Sequence, residues 1–327
     1  MRRLFLGGMA AMSVLGWLAT ANAQEASWPA KQPLTLIVPF GPGSSPDTMA
    51  RVVAEEAGKT LQQTIVVQNK PGASGNLGTD QIAKAKPDGY TFGVSITGPL
   101  VNNTVIYKSL PYDPVKDLTP LTLAVHQYNV LVVPASSPVK DLAGLVAEMK
   151  KPDAKLNFPS TGAGTVSHLA VELLLDRVGG KALHVPYKSS PDAVTSLLGG
   201  DTSFAALPPV AVMPMIRDGR LRPIAAVAAK RLSFLPDLPT VAEQGYPGVE
   251  GSGWIGFVAP AGISAEVKTR LNEALTKALA SPAVGERLAT MHMEPAPMTP
   301  DAFAQYMSEE LQRWSPLIQR LNLAGTQ

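Results

Sequence analysis

One short passage occurs twice in this chain and restricts its fold more than any other feature. Val38-Pro39-Phe40-Gly41-Pro42-Gly43 runs into Ser44-Ser45-Pro46-Asp47, and far downstream Val185-Pro186-Tyr187-Lys188 runs into Ser189-Ser190-Pro191-Asp192. Each copy reads as a buried strand, a tight turn and a helix start. Serine caps a helix because its oxygen accepts from first-turn N–H groups, and proline at the first helical position has its φ preset. Aspartate in the first turn complements the positive end of the helix dipole. Two such corners imply α/β units and suggest two lobes whose helix N-termini face one cleft. Helix ends of this kind are ready sites for a carboxylate or a phosphate.

The rest of the chain repeats the alternation. Short apolar, β-branched runs predict strands at Leu34–Val38, Thr64–Gln68, Thr91–Ile96, Thr119–Val125, Val130–Val133, Leu156–Phe158, Ala182–Val185, Thr202–Leu207, Arg222–Ala228 and Trp254–Val258. Helices are expected to start near Pro46, Asn76, Asp141, Ser167, Pro191 and Pro208, and two more close the chain. One runs from Ser264 with Val267, Leu271, Leu275 and Leu279 on a single face. The other runs from about Pro300 to Leu321, with Pro316 expected to kink it or end its regular part. Alternating strands and helices indicate βαβ units and mostly parallel sheets. Val130–Val133 and Trp254–Val258 are each followed by proline, a short turn and a helix. These two passages read either as the crossings between two lobes, one inserted in the other, or as similar turns within one doubly wound sheet.

The chain opens Met1-Arg2-Arg3, continues with an apolar run from Leu4 to Leu18 and reaches Ala21-Asn22-Ala23. A charged start, a short apolar stretch and an Ala-x-Ala site describe a secretory signal peptide over residues 1–23, cleaved after Ala23. The apolar run is shorter than the roughly 20 residues needed to span a bilayer. Cleavage would remove Arg2 and Arg3 and no acid, so 28 Lys plus Arg would fall to 26, against 26 Asp plus Glu. A neutral surface without a basic block argues against nucleic acid as a partner. Cysteine is absent, which excludes disulfides, thiolate chemistry and cysteine–zinc sites.

Several motifs bear on chemistry. Pro39–Ser45 and the segment Pro159-Ser160-Thr161-Gly162-Ala163-Gly164-Thr165 are both glycine-rich and lie between a strand and a helix. Glycines let backbone N–H groups turn toward a ligand, which suits a small-anion nest. Gly162-x-Gly164-x-x-Ser167 lacks the third glycine of a dinucleotide fingerprint, and no Walker lysine follows either loop, so no cofactor is expected. Ser137-Pro138-Val139-Lys140 matches the Ser-x-x-Lys of penicillin-recognising enzymes, but their Ser-Asp-Asn and Lys-Thr-Gly elements are missing. Ser137 therefore reads as a helix-entry serine, and no catalytic residue is expected. Of four histidines, only His168 with Glu172 has metal-ligand spacing, too few groups for a metal site. Phe40 and Tyr187 hold equivalent places at the two corners. Asp47 and Asp192 either fold back onto loop N–H groups or face a ligand ammonium.

Beyond these local readings, the chain from Trp28-Pro29 to its last helix resembles the Bug family of periplasmic solute-binding proteins, the TctC-like receptors of tripartite tricarboxylate transporters. The likeness rests on ordered motifs: Leu36–Gly43 with Asp47 and Ala50-Arg51, Asn69–Gly75, Pro87–Thr91, Leu110–Pro114, Ser160–Thr165 with His168-Leu169, Val185–Lys188, Leu235–Thr240 with Glu243, and Trp254 before Ala259–Gly262. The resemblance implies a two-lobed type II periplasmic binding fold with two hinge crossings. Lobe 1 would comprise 24–128 and 252–327, and lobe 2 would comprise 129–251. It implies a periplasmic monomer that grips a small organic acid, usually a carboxylate, by hinge closure and passes it unchanged to membrane transporter subunits. Carried over by motif, the ligand-binding residues are Phe40, Gly43, Ser44, Ser45, Asp47, Ser160, Thr161, Gly162, Gly164 and Thr165, then His168 and Tyr187. Thr97 and Gly98 join them by position. The chain departs from the family at Ser44, Pro46, Ser189 and the apolar run Ala205–Val210, which points to a partly apolar or aromatic acid. A periplasmic sensor feeding a signalling receptor, or a serine hydrolase, are the rival readings.

Overall fold

The computed structural model describes residues 28–327, and the expected signal peptide lies outside the described residues. The strands fall into two separate groups, which decides against one doubly wound sheet. The first group comprises β1 (Leu34–Val38), β2 (Ile65–Asn69), β3 (Thr91–Ile96), β4 (Leu118–Gln127), β10 (Gly253–Pro260) and the two-residue β11 (Glu294–Pro295). These form one sheet in the order β11-β4-β10-β3-β1-β2. The second group comprises β5 (Asn129–Pro134), β6 (Asn157–Ser160), β7 (Leu183–Pro186), β8 (Ala205–Leu207) and β9 (Leu221–Val227). Here β8-β5-β9 form one ladder and β6 pairs with β7 beside it.

The sheets are more mixed than the sequence pattern suggests. β1 runs parallel to β2 and β3, and β6 runs parallel to β7. By contrast β10 is antiparallel to β3 and β4, and β5 is antiparallel to β8 and β9. The reason is the connection between lobes. β5 and β10 are the strands that begin where the chain has just crossed, so each runs away from the cleft. The strands that lead into helix corners end at the cleft and point the other way.

Helices cover both lobes: α1 (Ser45–Leu61), α2 (Asn76–Ala83), α3 (Asn103–Ile106), α4 (Leu142–Met149), α5 (Val166–Val178), α6 (Ser190–Gly199), α7 (Pro209–Arg217), α8 (Ala265–Leu279), α9 (Pro282–Thr290) and α10 (Pro300–Arg320). Three helices therefore close the chain rather than two. The extra one, α9, starts with the same Ser-Pro signature, and the Ser281 hydroxyl oxygen accepts from the Val284 N–H. Helix α10 continues through Pro316 instead of ending there. Pro316 and Gln312, whose carbonyl loses its helical partner to the proline, both face solvent, where water can satisfy that carbonyl.

The stripe along α10 binds the lobes together. Phe303 and Met307 pack in the core of the first lobe with Leu118, Leu123 and Trp254. Trp314 and Ile318 pack in the core of the second with Leu169, Leu173 and Phe204. Ile106, at the end of α3, joins the same second core. Fully burying such a side chain contributes about 1.5–3 kcal/mol, so this seam is a strong tie along one edge of the cleft.

Candidate functional site

Four helix N-termini converge on a cavity between the lobes. Ser44, Ser45 and Pro46 bring the start of α1, and Thr165, Val166 and Ser167 bring the start of α5. Ser190 brings α6, and Pro208, the residue preceding α7, brings the fourth. Ile96, Thr97, Gln127, Asn129, Gly253 and Trp254, at the strand ends beside the crossings, make the floor, and Phe40 and Thr161 complete the wall. No Lys, Arg, Asp or Glu among the described residues lines it. The space is about 40 Å³, room for about three waters if each needs roughly 10–15 Å³. The lobes thus stand nearly shut.

The helix starts keep their donors free for this space. The Ser44 hydroxyl donates to the Gly41 carbonyl at 2.7 Å, and the Thr165 hydroxyl donates to the Gly162 carbonyl at 2.6 Å. Neither side chain caps its own helix. Pro46 has no N–H, and the Thr48 and His168 N–H groups donate to the Ser44 and Thr165 carbonyls, so at α1 and α5 it is the N–H groups of Ser45, Asp47, Val166 and Ser167 that are left for whatever enters the cavity. The positive ends of the dipoles add to this and make the cavity suited to an anion without any cation.

The alternatives left open for Asp47 are decided by its bonds. One carboxylate oxygen accepts from the Gly43 N–H at 2.9 Å. The other accepts from the Asn69 amide at 2.8 Å and the Arg51 Nε at 3.0 Å. Asp47 folds back onto its own loop, and Arg51 bonds Asn69 in turn at 3.0 Å. Burial pushes its pKa up, but the bonds from Arg51, Asn69 and Gly43 outweigh this and hold it below the usual carboxylate value. The network fixes the α1 corner against the end of β2.

Beneath the second loop lie two stacked imidazoles. His168 and His184 have ring centroids 4.0 Å apart, and Phe158 stacks on both. The Gly164 N–H donates to His168 Nδ1 at 3.2 Å, and Ser160 Oγ bonds His184 Nε2 at 2.6 Å. Ser160 Oγ also accepts from the Gly162 N–H at 2.9 Å. Burial and the neighbouring His168 push His184 down to about 3. These rings shape the loop from behind.

Of the residues expected at the site, Phe40, Ser44, Ser45, Thr97, Thr161 and Thr165 line the cavity together. Gly43 and Asp47 serve the corner from outside it, and Ser160, Gly164 and His168 are buried in the loop's own bonding. Gly98 lies against the Gly164 carbonyl, across the cleft. Gly162 and Tyr187 line a second hollow at the rim with Ser74, Tyr107 and Lys188. Ser137 does not line the cavity, and its hydroxyl accepts from the Val139 N–H. The sequence reading missed Gln127, Asn129, Ser167, Ser190, Pro208 and Trp254. Ser190 was signalled by the duplicated Ser-Ser-Pro-Asp, since Ser45 is its counterpart. The Ser45 and Ser190 hydroxyls, Gln127 Oε1 and Asn129 Nδ2 are all buried without a hydrogen-bond partner.

Comparison with known proteins agrees with this geometry. The profile of the tripartite tricarboxylate transporter family receptor, TctC, matches residues 49–323. The structure of the periplasmic binding protein BugD superposes with a TM-score of 0.86 at 31% identity, covering 90% of this chain and 99% of that one. Rpa4515 of R. palustris, solved with adipate, superposes with a TM-score of 0.87 at 32% identity, covering 91% and 99%. MatC of Rhodopseudomonas palustris, solved with bound malate, gives 0.83 at 30% identity, covering 88% and 99%.

Proposed function

The chain belongs to the tripartite tricarboxylate transporter receptor family, a family of periplasmic binding proteins rather than enzymes, and from that premise we propose that it captures a small carboxylate between its lobes and hands it unchanged to a membrane transporter. The observation that carries this reading is the cluster of four orphaned polar atoms, on Ser45, Gln127, Asn129 and Ser190, in one cavity at the helix starts. Buried polar atoms without partners cost about 1–3 kcal/mol each and call for an explanation, of which a ligand is one. Two structural relatives hold adipate and malate, both carboxylates. We place the protein in the periplasm after cleavage following Ala23, with lobe 1 over 24–128 and 252–327 and lobe 2 over 129–251.

Capture proceeds by hinge closure. In the open form, the starts of α1 and α5 present their free N–H groups, and α1 its Ser45 hydroxyl, to water, and an incoming carboxylate replaces that water. Closure then brings the second lobe, with the starts of α5, α6 and α7, against the α1 start of the first. A hydrogen bond to a charged group is worth about 1.5–3 kcal/mol, so three to five give roughly −8 kcal/mol, or micromolar affinity. Phe40, Ile96, Val166, Pro208 and Trp254 make much of the wall apolar and favour an acid with a partly apolar body.

A thermal-shift panel tests the proposal, using malate, adipate, citrate, aspartate and benzoate, with NMR of the recovered ligand. A ligand at a hundred times its Kd stabilises by about 2.7 kcal/mol, which raises Tm by several degrees. At least one acid is expected to do so and to be recovered intact. Stabilisation by none of them, or chemical change in the one that binds, refutes the proposal.

A further inference from the structure

The floor of the cavity holds more information than anion capture needs. Gln127 ends β4 and Asn129 begins β5, so the two amides flank Tyr128, the single residue that joins those strands. Successive residues of an extended chain point to opposite sides, which puts 127 and 129 on one side and 128 on the other. The contacts agree. Gln127 and Asn129 face the cavity, whereas the Tyr128 hydroxyl donates to Glu294 at 3.2 Å outside it. Asn129 is only 4% exposed, and its Nδ2 has no partner, nor has Gln127 Oε1.

The chemistry of this pair is specific. One unpartnered acceptor and one unpartnered donor lining the same cavity complement a hydroxyl, which donates through its hydrogen and accepts through its oxygen. Turning both amides over exchanges the roles and leaves the same complement. An ammonium meets no carboxylate here, because no Asp or Glu among the described residues lines the cavity and Asp47, the acid of the α1 corner, is engaged with Gly43, Asn69 and Arg51. Resting on the carboxylate reading above, we infer that the ligand is a hydroxycarboxylate without an amino group, its hydroxyl bridged by Gln127 and Asn129.

The placement also ties recognition to closure. Gln127 is in register with Gly253 in the sheet of the first lobe, and Asn129 with Val227 in that of the second. Rotation of one lobe on the other turns the two amides relative to each other about Tyr128. A hydroxyl held by both therefore fits one hinge angle, and a ligand lacking it loses that constraint.

Matched acids differing by one hydroxyl provide the test: malate against succinate, lactate against propionate, and 3-hydroxybutyrate against butyrate. Calorimetric titration of the unaltered protein is expected to show at least a tenfold preference for the hydroxy member of the pair it binds. Asn129→Ala and Gln127→Ala should each weaken that member about tenfold and change its partner less than about twofold. Equal affinity for both members in the unaltered protein overturns this inference while leaving carboxylate capture intact. An equal loss for both members in the variants also overturns it. If only amino acids bind, the exclusion of an ammonium is wrong. Failure of every acid, including those of the thermal-shift panel, overturns the carboxylate reading itself.

Discussion

Replacing Asp47 by asparagine separates a structural carboxylate from one that meets the ligand. The wild-type side chain accepts from Gly43, Asn69 and Arg51. Asparagine keeps one acceptor and turns an NH2 toward donors. If it retains the Gly43 bond, the bonds from Asn69 and Arg51 go. A bond to a charged group is worth about 1.5–3 kcal/mol, but the Arg51 side chain is 49% exposed, so its pair with Asp47 is screened to about 1 kcal/mol or less. The sum is a loss of about 2–4 kcal/mol, read as a fall in Tm of roughly 5–10 °C by circular dichroism at pH 7. The pH dependence carries the same signature. Because the native pKa lies below the ordinary value, Asp47 stabilises fully above that value and less as pH falls through the native one. The gap between wild type and Asp47→Asn should therefore narrow in acid. Affinity for a carboxylate should stay the same or weaken severalfold as the α1 corner loosens. A tenfold gain in affinity with Tm unchanged would show the charge facing the ligand and refute the reasoning.

Two further outcomes follow from the second loop. At Gly162, with φ of +128°, an added Cβ would lie 2.5–2.7 Å from Oγ, Cβ and Cα of Ser74 across the cleft. Gly162→Ala should weaken ligand binding by about a hundredfold, roughly 3 kcal/mol against the shut form, and leave X-ray scattering of the variant more extended with ligand present; an unaltered Kd would show that this contact does not limit closure. His184, held down to about 3, stays neutral in the native state where the unfolded chain takes up a proton below about 6.5. Stability should be complete above pH 6.5 and fall toward pH 3 by at most about 1.4 kcal/mol per unit. His184→Gln should flatten that limb in urea unfolding at pH 7, 5.5 and 4.5, and parallel curves would remove His184 as its source.

What the sequence disclosed was local. Leu34–Val38 and the Ser-Pro-Asp start of α1 were legible because a strand, a turn and a cap are set by neighbouring residues. The convergence of α1 and α6 followed from their shared signature, which the same logic should have extended to Ser190. His168, named as a ligand residue by the family resemblance, stacks on His184 in the lobe interior. Periodicity does not say which side of a helix start faces a ligand. The antiparallel courses of β5 and β10 depend on where the chain crosses, a long-range fact. Gln127 and Asn129 were hidden for a similar reason: they lay in a gap between two expected strands, and only the hinge geometry aims them.

On the proposed mechanism, the distribution of contacts between the lobes accounts for how so small a ligand can govern closure. Along one edge the lobes are tied by the crossings and by the seam that buries Trp314, Ile318 and Ile106. Across the cleft the Gly41 N–H donates to the Lys188 carbonyl at 3.2 Å, the Asn102 side-chain amide donates to the Gly164 carbonyl at 2.8 Å, and Gly162 meets Ser74 at the rim. A peptide hydrogen bond regained from water nets only about 0.5–1.5 kcal/mol. Opening therefore breaks a few such bonds and leaves the seam intact. Several charge-assisted bonds to a carboxylate exceed that loss, and a ligand that makes them sets the hinge. A buried arginine would add affinity, but it would leave an unpaired charge facing the cleft whenever the ligand departs, at a desolvation cost of several kcal/mol if the lobes then close. Helix N-termini and hydroxyls avoid that, since water satisfies them equally well in the open form. A binder that must release its cargo unchanged is better served by such neutral donors than by an ion pair.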